Sequence, residues 1–268
     1  MEPAFVITAA AALGALMAVA WVIQRLTGKS GWVDTIWSLA VGAGGVLAVV
    51  WPDANAALGR RIAVGILIAL WSLRLAGHIA ARTRGGEDDP RYADLARQWG
   101  GLFPVYLFVF LQIQAAAALI LVLAVRLAAI RPGPFPAAGD FAGLALLAVA
   151  VVGEGVADAQ LARFASAHKG RKAVCDVGLW AWSRHPNYFF EWLGWCAWAV
   201  VAIDLSGAWV WGWMALAAPV LMYVLLVHVS GIPPLEAHML KSRGTAFEAY
   251  RARVNAFFPG PPHKETPR

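Results

Sequence analysis

Polar and charged side chains gather in the stretch WSRHPNYFFEWLGW, residues 182–195, where an apolar run begins. They are Arg184, His185, Asn187, Tyr188 and Glu191. Such groups are costly inside a membrane and usually have a partner or a ligand there. Pro186 suits the first turn of a helix, and a helix that starts there places Asn187 and Glu191 on one face. This face can hydrogen-bond an amide or a ribose.

Basic side chains lie just before this stretch and within it. They are Arg163, Lys169, Arg171, Lys172 and Arg184, enough positive charge for several phosphates. A helix N-terminus near Pro186 also attracts anions. Phosphates, a sugar and an amide together describe a nicotinamide dinucleotide. The chain contains no GxGxxG, and the GAGG at 42–45 has the wrong spacing. We therefore exclude a Rossmann domain and expect the cofactor to be held among helices.

Ionisable residues also occur in other apolar segments. They are Asp34, Arg74, His78, Glu154 and Asp158. Arg74 and His78 lie one helical turn apart, as do Glu154 and Asp158, and intramembrane groups of this kind usually face a polar cavity. Simpler roles stay open. Arg74 can snorkel, Glu154 and Asp158 can belong to interhelical ion pairs, and TRGGEDDPRYADLARQWG can be a solvated connection.

The elements that must position these groups are long apolar segments. Of the 268 residues, 60% are hydrophobic and 14% are charged, whereas soluble domains carry about 25% charge. Seven segments approach or exceed the ~20 residues that cross a bilayer: 4–24, 33–51, 62–80, 104–130, 141–163, 187–205 and 207–229. The first is long enough to be a retained helix rather than a signal peptide. We predict a single all-α domain over 1–268, with seven transmembrane helices.

The distribution of basic residues predicts the orientation. When Arg126 and Arg163, near the ends of their spans, are counted with the adjoining connections, 17 of the 22 Lys and Arg residues fall on one side, 4 on the other and Arg74 within a span. The positive-inside rule then places the N-terminus outside and the C-terminus in the cytoplasm. After GIPP, residues 231–268 predict a short amphipathic cytoplasmic tail. The net charge of +6 needs no nucleic acid to explain it, and the two cysteines indicate neither a disulfide nor a metal site.

The stretch GLWAWSRHPNYFFEWLGW resembles the C-terminal signature of the steroid 5-alpha-reductase family, whose bacterial members carry this Arg-His-Pro-Asn-Tyr and a downstream Glu. GWVDTIWS and RTRGGEDDPRY resemble the N-terminal half of those members, and LEAHMLKSRGTAFEAYRARVNAFFPG resembles their tail. Isoprenylcysteine carboxyl methyltransferases share an Arg-His-Pro element. Asn187, Glu191 and the Asp34 segment favour the reductases.

The resemblance implies a seven-helix enzyme of the bacterial inner membrane that binds NADPH in a cytoplasm-facing cavity. Asn187 and Glu191 match the pair near the nicotinamide, and Asp158 matches a cofactor-binding acid. The implied cofactor-binding set is Arg74, Asp158, Arg163, Lys169, Arg171, Arg184, His185, Asn187, Tyr188, Glu191, Glu236, His238, Arg243 and Tyr250. Besides the bilayer, the only expected partner is the substrate; no obligate protein partner is evident.

The same resemblance implies reduction of the 4,5 double bond of a 3-oxo-4-ene steroid, or of a similar enone lipid. Asp34 matches by position the glutamate that contacts the substrate carbonyl, although it is one methylene shorter. The family's third-span tyrosine is replaced by Trp71, with Ser72 and His78 nearby. We therefore expect Asp34, Trp71, Ser72 and His78 to form the catalytic set.

Enone reduction explains why a donor is needed at the substrate end. When hydride reaches the β carbon, negative charge accumulates on the carbonyl oxygen and must meet a hydrogen-bond donor. An apolar setting favours the protonated form of Asp34, which then donates. Two other functions stay open: an S-adenosylmethionine-dependent methyltransferase of the isoprenylcysteine carboxyl type, and a transporter or sensor, which the lack of an inverted repeat disfavours.

Overall fold

The computed structural model describes residues 2–85, 90–171 and 173–263. The chain is 79% helical, and no strand occurs within these ranges. The α-helices described are α1 (Pro3–Thr27), α2 (Gly31–Val50), α3 (Leu58–Arg84), α4 (Pro90–Trp99), α5 (Phe103–Ala129), α6 (Ala138–Ala167), α7 (Pro186–Ala202), α8 (Ala217–Val224), α9 (Ile232–Arg243) and α10 (Thr245–Arg253). Short 3-10 turns cover Gly100–Leu102, Gly178–Ala181 and Val210–Leu216, and a π-helical turn covers Leu225–Val229.

Six segments are long and apolar enough to cross a bilayer. They are Pro3–Thr27, Gly31–Val50, Leu58–Arg84, Tyr92–Ala129, Ala138–Ala167 and Val210–Arg243. The all-α class is therefore confirmed, and the apolar helices are consistent with an integral membrane protein in a lipid bilayer. The sixth predicted span, 187–205, corresponds to α7. That helix has 17 residues and is shorter than the six segments above.

Three helix ends show features that are common at helix termini. Pro3 opens α1, and Gly28 closes it at a φ of 68°, a conformation that a residue with a Cβ adopts only at a cost. Arg82 and Arg84 occupy the last turn of α3, where a positive charge complements the helix dipole. The predicted start of α7 at Pro186 is confirmed.

The residues cluster into two compact units. The first unit comprises Met1–Phe141 and Trp198–Ala218, and the second comprises Ala142–Ala197 and Pro219–Arg268. Within the first, α1 turns a stripe of buried residues inwards: Phe5, Ala9, Leu13, Met17 and Ala20. Within the second, Phe247, Tyr250 and Val254 of the C-terminal segment form a buried cluster. The single-domain organisation stays a prediction.

Glycines let α2 and α3 approach closely. A Cβ added at Gly42 would lie 2.1 Å from the Ser72 hydroxyl oxygen, and one added at Gly45 would lie 2.6 Å from Ile68. Small residues at helix interfaces allow this approach in membranes, where packing replaces the hydrophobic driving force. The Ser72 hydroxyl also donates to the Ser38 carbonyl across the interface, at 2.9 Å.

A buried charge network ties the connection before α6 to the start of α3. The Asp140 carboxylate accepts from Arg60 at 2.8 Å and from Arg131 at 2.9 Å. It also accepts from the backbone N–H of Ala137. Arg60 in turn donates to the carbonyl of Pro134. These bonds satisfy charges that would otherwise be costly to bury.

We predict that Gly42→Ala destabilises the protein by about 1–3 kcal/mol, because the new methyl group overpacks the α2–α3 interface. Thermal unfolding in detergent measures this change. Gly77→Ala is the matched control on α3, since a Cβ there would meet no described atom within 4 Å. Adding Ser72→Gly to Gly42→Ala should recover part of the loss. Equal melting temperatures for Gly42→Ala and Gly77→Ala would contradict this packing.

Candidate functional site

In the first unit, a tyrosine hydroxyl is hydrogen-bonded to the candidate catalytic carboxylate, Asp34. Tyr92 of α4 donates its hydroxyl hydrogen to an Asp34 carboxylate oxygen at 2.9 Å. Gln114 of α5 donates its amide to the same hydroxyl oxygen at 3.4 Å. Tyr92 is 3% exposed and packs edge-on against Phe110. Three helices thus place an acid, a phenol and an amide in one chain of hydrogen bonds.

Sequence reasoning missed Tyr92 because it treated the charged segment as a solvated connection. That interpretation is wrong for residues 90–99, which form α4. A signal was available: Tyr92, Leu95 and Trp99 recur at helical spacing, so they share one face. Asp94 and Arg97 are charged and mark the other side of this short helix.

The residues first expected to assist Asp34 have other settings. Trp71 is buried in α3, and the Ser72 hydroxyl is used in the α2–α3 interface. His78, one turn beyond Arg74 on the same helix, is exposed. The phenol beside Asp34 therefore comes from α4, whereas the family resemblance had implied a second carbonyl contact from Trp71, Ser72 or His78 of the third span.

In the second unit, a carboxylate of α9 anchors the turn that precedes α7. One oxygen of Glu236 accepts from the Arg184 guanidinium at 2.7 Å and lies 3.0 Å from the His185 imidazole. Arg184 also donates to the carbonyls of Arg251 and Val254. Both ion-paired side chains are largely buried, at 9% and 12% exposed. The turn is therefore fixed to the C-terminal helices.

Further bonds between the turn and the C-terminal segment reinforce this anchor. Tyr250 donates its hydroxyl to the carbonyl of Trp180 at 2.6 Å, and Ser183 donates to the carbonyl of Phe257 at 2.8 Å. Burial lowers the pKa of His185, against the opposing influence of Glu236. Burial also raises the pKa of Tyr250. Burial thus favours the neutral form of both side chains.

The polar face at the start of α7 is brought together with the acid of α6. Asn187 donates its amide to Asp158 at 3.4 Å, and its amide oxygen accepts from the Tyr188 backbone N–H at 3.0 Å. Glu191 accepts from the buried Trp195 indole at 2.9 Å, which orients the carboxylate. Asp158 and Asn187, both members of the expected cofactor-binding set, thus lie within hydrogen-bonding distance.

The candidate phosphate-binding cations are solvent-accessible. Arg163, Lys169 and Arg171, at the end of α6 and just after it, are exposed, as is His238 of α9. Arg243 is half-buried, and its Nε atom is buried without a hydrogen-bond partner among the described residues. Lys172 lies outside the described residues, and Arg74 belongs to the first unit.

We predict that Glu236→Gln destabilises the protein by about 3 kcal/mol, because it leaves the largely buried Arg184 without its charge partner. Chemical or thermal unfolding in detergent measures the difference. Asp176→Asn is the matched control, since its ion pair with Arg253 is about 40% exposed on both side chains. Such a pair contributes at most about 1 kcal/mol. Equal losses for the two variants would show that Glu236 is not an anchor.

Comparison with known proteins gives a family. Neither the curated proteins nor the solved structures include a match to the chain. A family model described as "Protein of unknown function (DUF1295)" matches residues 20–254, which include Asp34, Tyr92, the 182–195 stretch and α9. The chain therefore belongs to the DUF1295 family, which is related to steroid 5-alpha-reductase-like membrane proteins.

Proposed function

We propose that this protein is an NADPH-dependent reductase of an enone lipid, with 3-oxo-4-ene steroids as the model substrate. The hydrogen bond between Tyr92 and Asp34 is the observation that carries the proposal. A phenol and a neutral carboxylic acid in an apolar site can together donate to a developing oxyanion. Conjugate reduction of an enone creates such an oxyanion on the carbonyl oxygen.

The first unit has the residues that polarise the substrate. In the substrate complex, the Tyr92 hydroxyl turns its hydrogen from Asp34 to the substrate carbonyl, and protonated Asp34 donates a second hydrogen bond to the same carbonyl oxygen. Gln114 donates to the phenolic oxygen, which orients the hydroxyl and makes its hydrogen more positive. The Phe110 ring packs edge-on against the Tyr92 ring and limits water around the phenol. In a dry site these donors stabilise charge more strongly than they do in water.

The second unit has a donor set that suits a dinucleotide. An amide and an acid stand together at Asn187 and Asp158, and Glu191 follows one turn later. The exposed cations Arg163, Lys169 and Arg171 suit phosphates. Bound NADPH supplies the hydride. Asn187 and Glu191 hold the carboxamide end in this proposal, and Arg163, Lys169 and Arg171 hold phosphates.

We also infer seven membrane spans, with α7 as the additional one. Its 17 residues extend about 25 Å, a few ångströms less than a hydrocarbon core of about 30 Å. With seven spans, the excess of Lys and Arg places the N-terminus outside and α9 and α10 in the cytoplasm. The protein then resides in a bacterial inner membrane, with the basic residues of the second unit available to soluble NADPH.

Removing either carbonyl donor should impair turnover and spare cofactor binding. We expect Tyr92→Phe and Asp34→Asn each to lower reduction of a 3-oxo-4-ene steroid by about 100-fold, the usual effect of losing one oxyanion donor. NADPH affinity should change little. NADPH consumption in detergent, together with direct titration of the cofactor, measures both quantities. Tyr106→Phe, at an exposed tyrosine of α5, is the control and should keep full activity.

Glu191→Ala should instead weaken NADPH binding, because Glu191 holds the carboxamide end of the cofactor in this proposal. Near-normal turnover by both Tyr92→Phe and Asp34→Asn would remove the assigned carbonyl contact. Binding of S-adenosylmethionine without any binding of NADPH would replace the reductase by a methyltransferase.

The cations of the second unit predict a preference for NADPH over NADH, because they can meet the additional 2′-phosphate. Arg171→Ala should weaken NADPH by about tenfold and NADH much less. Isothermal titration with both nucleotides measures the ratio. Arg25→Ala, at an exposed arginine of the first unit, serves as the control for a general loss of positive charge. Equal affinities of the wild-type protein for NADPH and NADH would contradict this assignment.

A further inference from the structure

The turn that precedes α7 is hydrogen-bonded to α6 on either side of Asp158. The Trp180 indole Nε1 donates to the carbonyl of Ala157 at 2.9 Å, and the backbone N–H of Leu179 donates to the Gln160 side-chain oxygen at 2.9 Å. Ala157 directly precedes Asp158, and Gln160 follows it by two residues. The two bonds therefore fix this turn to the part of α6 that carries the acid.

The GLW sequence at 178–180 explains how the turn comes so close to α6. Gly178 has a φ of 61°, a left-handed conformation that favours glycine, and a Cβ there would lie 2.5 Å from the side-chain nitrogen of Gln160. Trp180 is 8% exposed, so its indole N–H needs an acceptor inside the protein. The glycine thus makes room for Gln160, and the tryptophan donates to α6.

Trp180 also joins the turn to the C-terminal helices. Its backbone carbonyl accepts from the Tyr250 hydroxyl of α10 at 2.6 Å. The side chain of Trp180 is therefore bonded to α6 and its backbone to α10, which restricts the movement of the turn. The turn leads directly into α7, whose second residue, Asn187, donates to Asp158.

The bond between Asn187 and Asp158 is weaker than the bonds of the turn. Its length of 3.4 Å exceeds the usual range of about 2.7–3.2 Å for an N–H···O bond. A binding pair has to be held within about 0.5 Å of its working geometry by the hydrogen bonds that surround it. The bonds of Gln160 and Trp180 are shorter, and both end on α6 within two residues of Asp158.

We infer that Gln160 and Trp180 are positioning residues for the Asp158–Asn187 pair. They set the separation between the Asp158 carboxylate and the Asn187 amide, so that both groups can bind one ligand at once. In this role they act through the pair and not by contact with the ligand. The identity of the ligand, NADPH, rests on the proposed function, whereas the geometry of the pair does not.

Cofactor titration of the full chain in detergent tests this inference. Gln160→Met keeps the length of the side chain and removes the acceptor, and Trp180→Phe keeps an aromatic ring and removes the N–H. We expect each to weaken NADPH binding about fivefold, with turnover at saturating NADPH within about twofold of wild type. Trp192→Phe is the matched control, because its indole also donates to a backbone carbonyl, that of Pro219 at 3.0 Å, but joins α7 to α8. NADPH affinities equal to that of the control would overturn the inference.

A double-mutant cycle separates positioning from a general loss of stability. Once Asn187→Ala has removed the amide, the separation that Gln160 maintains matters little to the ligand. Gln160→Met should then weaken NADPH by less than about twofold further. A full fivefold loss in the Asn187→Ala background would show that Gln160 does not act through Asn187, against the inference.

Cross-linking without cofactor reports the geometry of the pair directly. Asp158→Cys and Asn187→Cys are combined in a chain whose two native cysteines are changed to alanine, and a short bifunctional thiol reagent joins the new pair. Adding Gln160→Met should slow the cross-linking about fivefold, and adding Trp192→Phe should leave the rate unchanged. This result in a protein that binds no NADPH would refute the proposed cofactor and still support the positioning role. A rate that Gln160→Met does not change would refute the positioning role, regardless of which cofactor binds.

Discussion

Polar groups in an apolar chain must find partners inside the protein, and this constraint organises both units. Where water is scarce, the cost of removing a charge from water exceeds the gain from pairing it with one neighbour. Asp140 therefore collects hydrogen bonds from two arginines and a backbone N–H. The Arg126 guanidinium donates to the carbonyls of Ala48, Trp51 and Pro52, at and just after the end of α2, which have no helical partner. Connections that would otherwise be loose become fixed ends for the helices.

The same constraint divides the polar stretch before α7 into two roles. Arg184 and His185 share one oxygen of Glu236, so their hydrogen-bonding capacity is spent on joining the turn to the C-terminal helices. Asn187 and Asp158 meet through a longer bond of 3.4 Å. A weak bond of this length is easily exchanged for a ligand. Residues that the resemblance groups together as cofactor-binding thus differ in how available they are.

At the other proposed site, the partner of Asp34 arrives from a distant part of the chain. Tyr92 and Asp34 are 58 residues apart, and only the packing of α4 brings the phenol to the carboxylate. Because α4 supplies the phenol, no side chain of α3 is needed as the hydroxyl partner of Asp34. Ser72 of α3 instead packs against Gly42 of α2 and donates its hydroxyl to the Ser38 carbonyl.

The sequence by itself determined the all-α class, most of the span positions and the start of α7. It did so because hydrophobicity over about 20 residues and a proline at a helix start are local signals. It also supplied the family resemblance that carries the functional expectation. Only the tertiary structure decided which side chains meet. The Tyr92–Asp34 bond, the Glu236 anchor and the bond from Trp180 to α6 all join distant residues. Such contacts depend on helix packing, which no local pattern encodes.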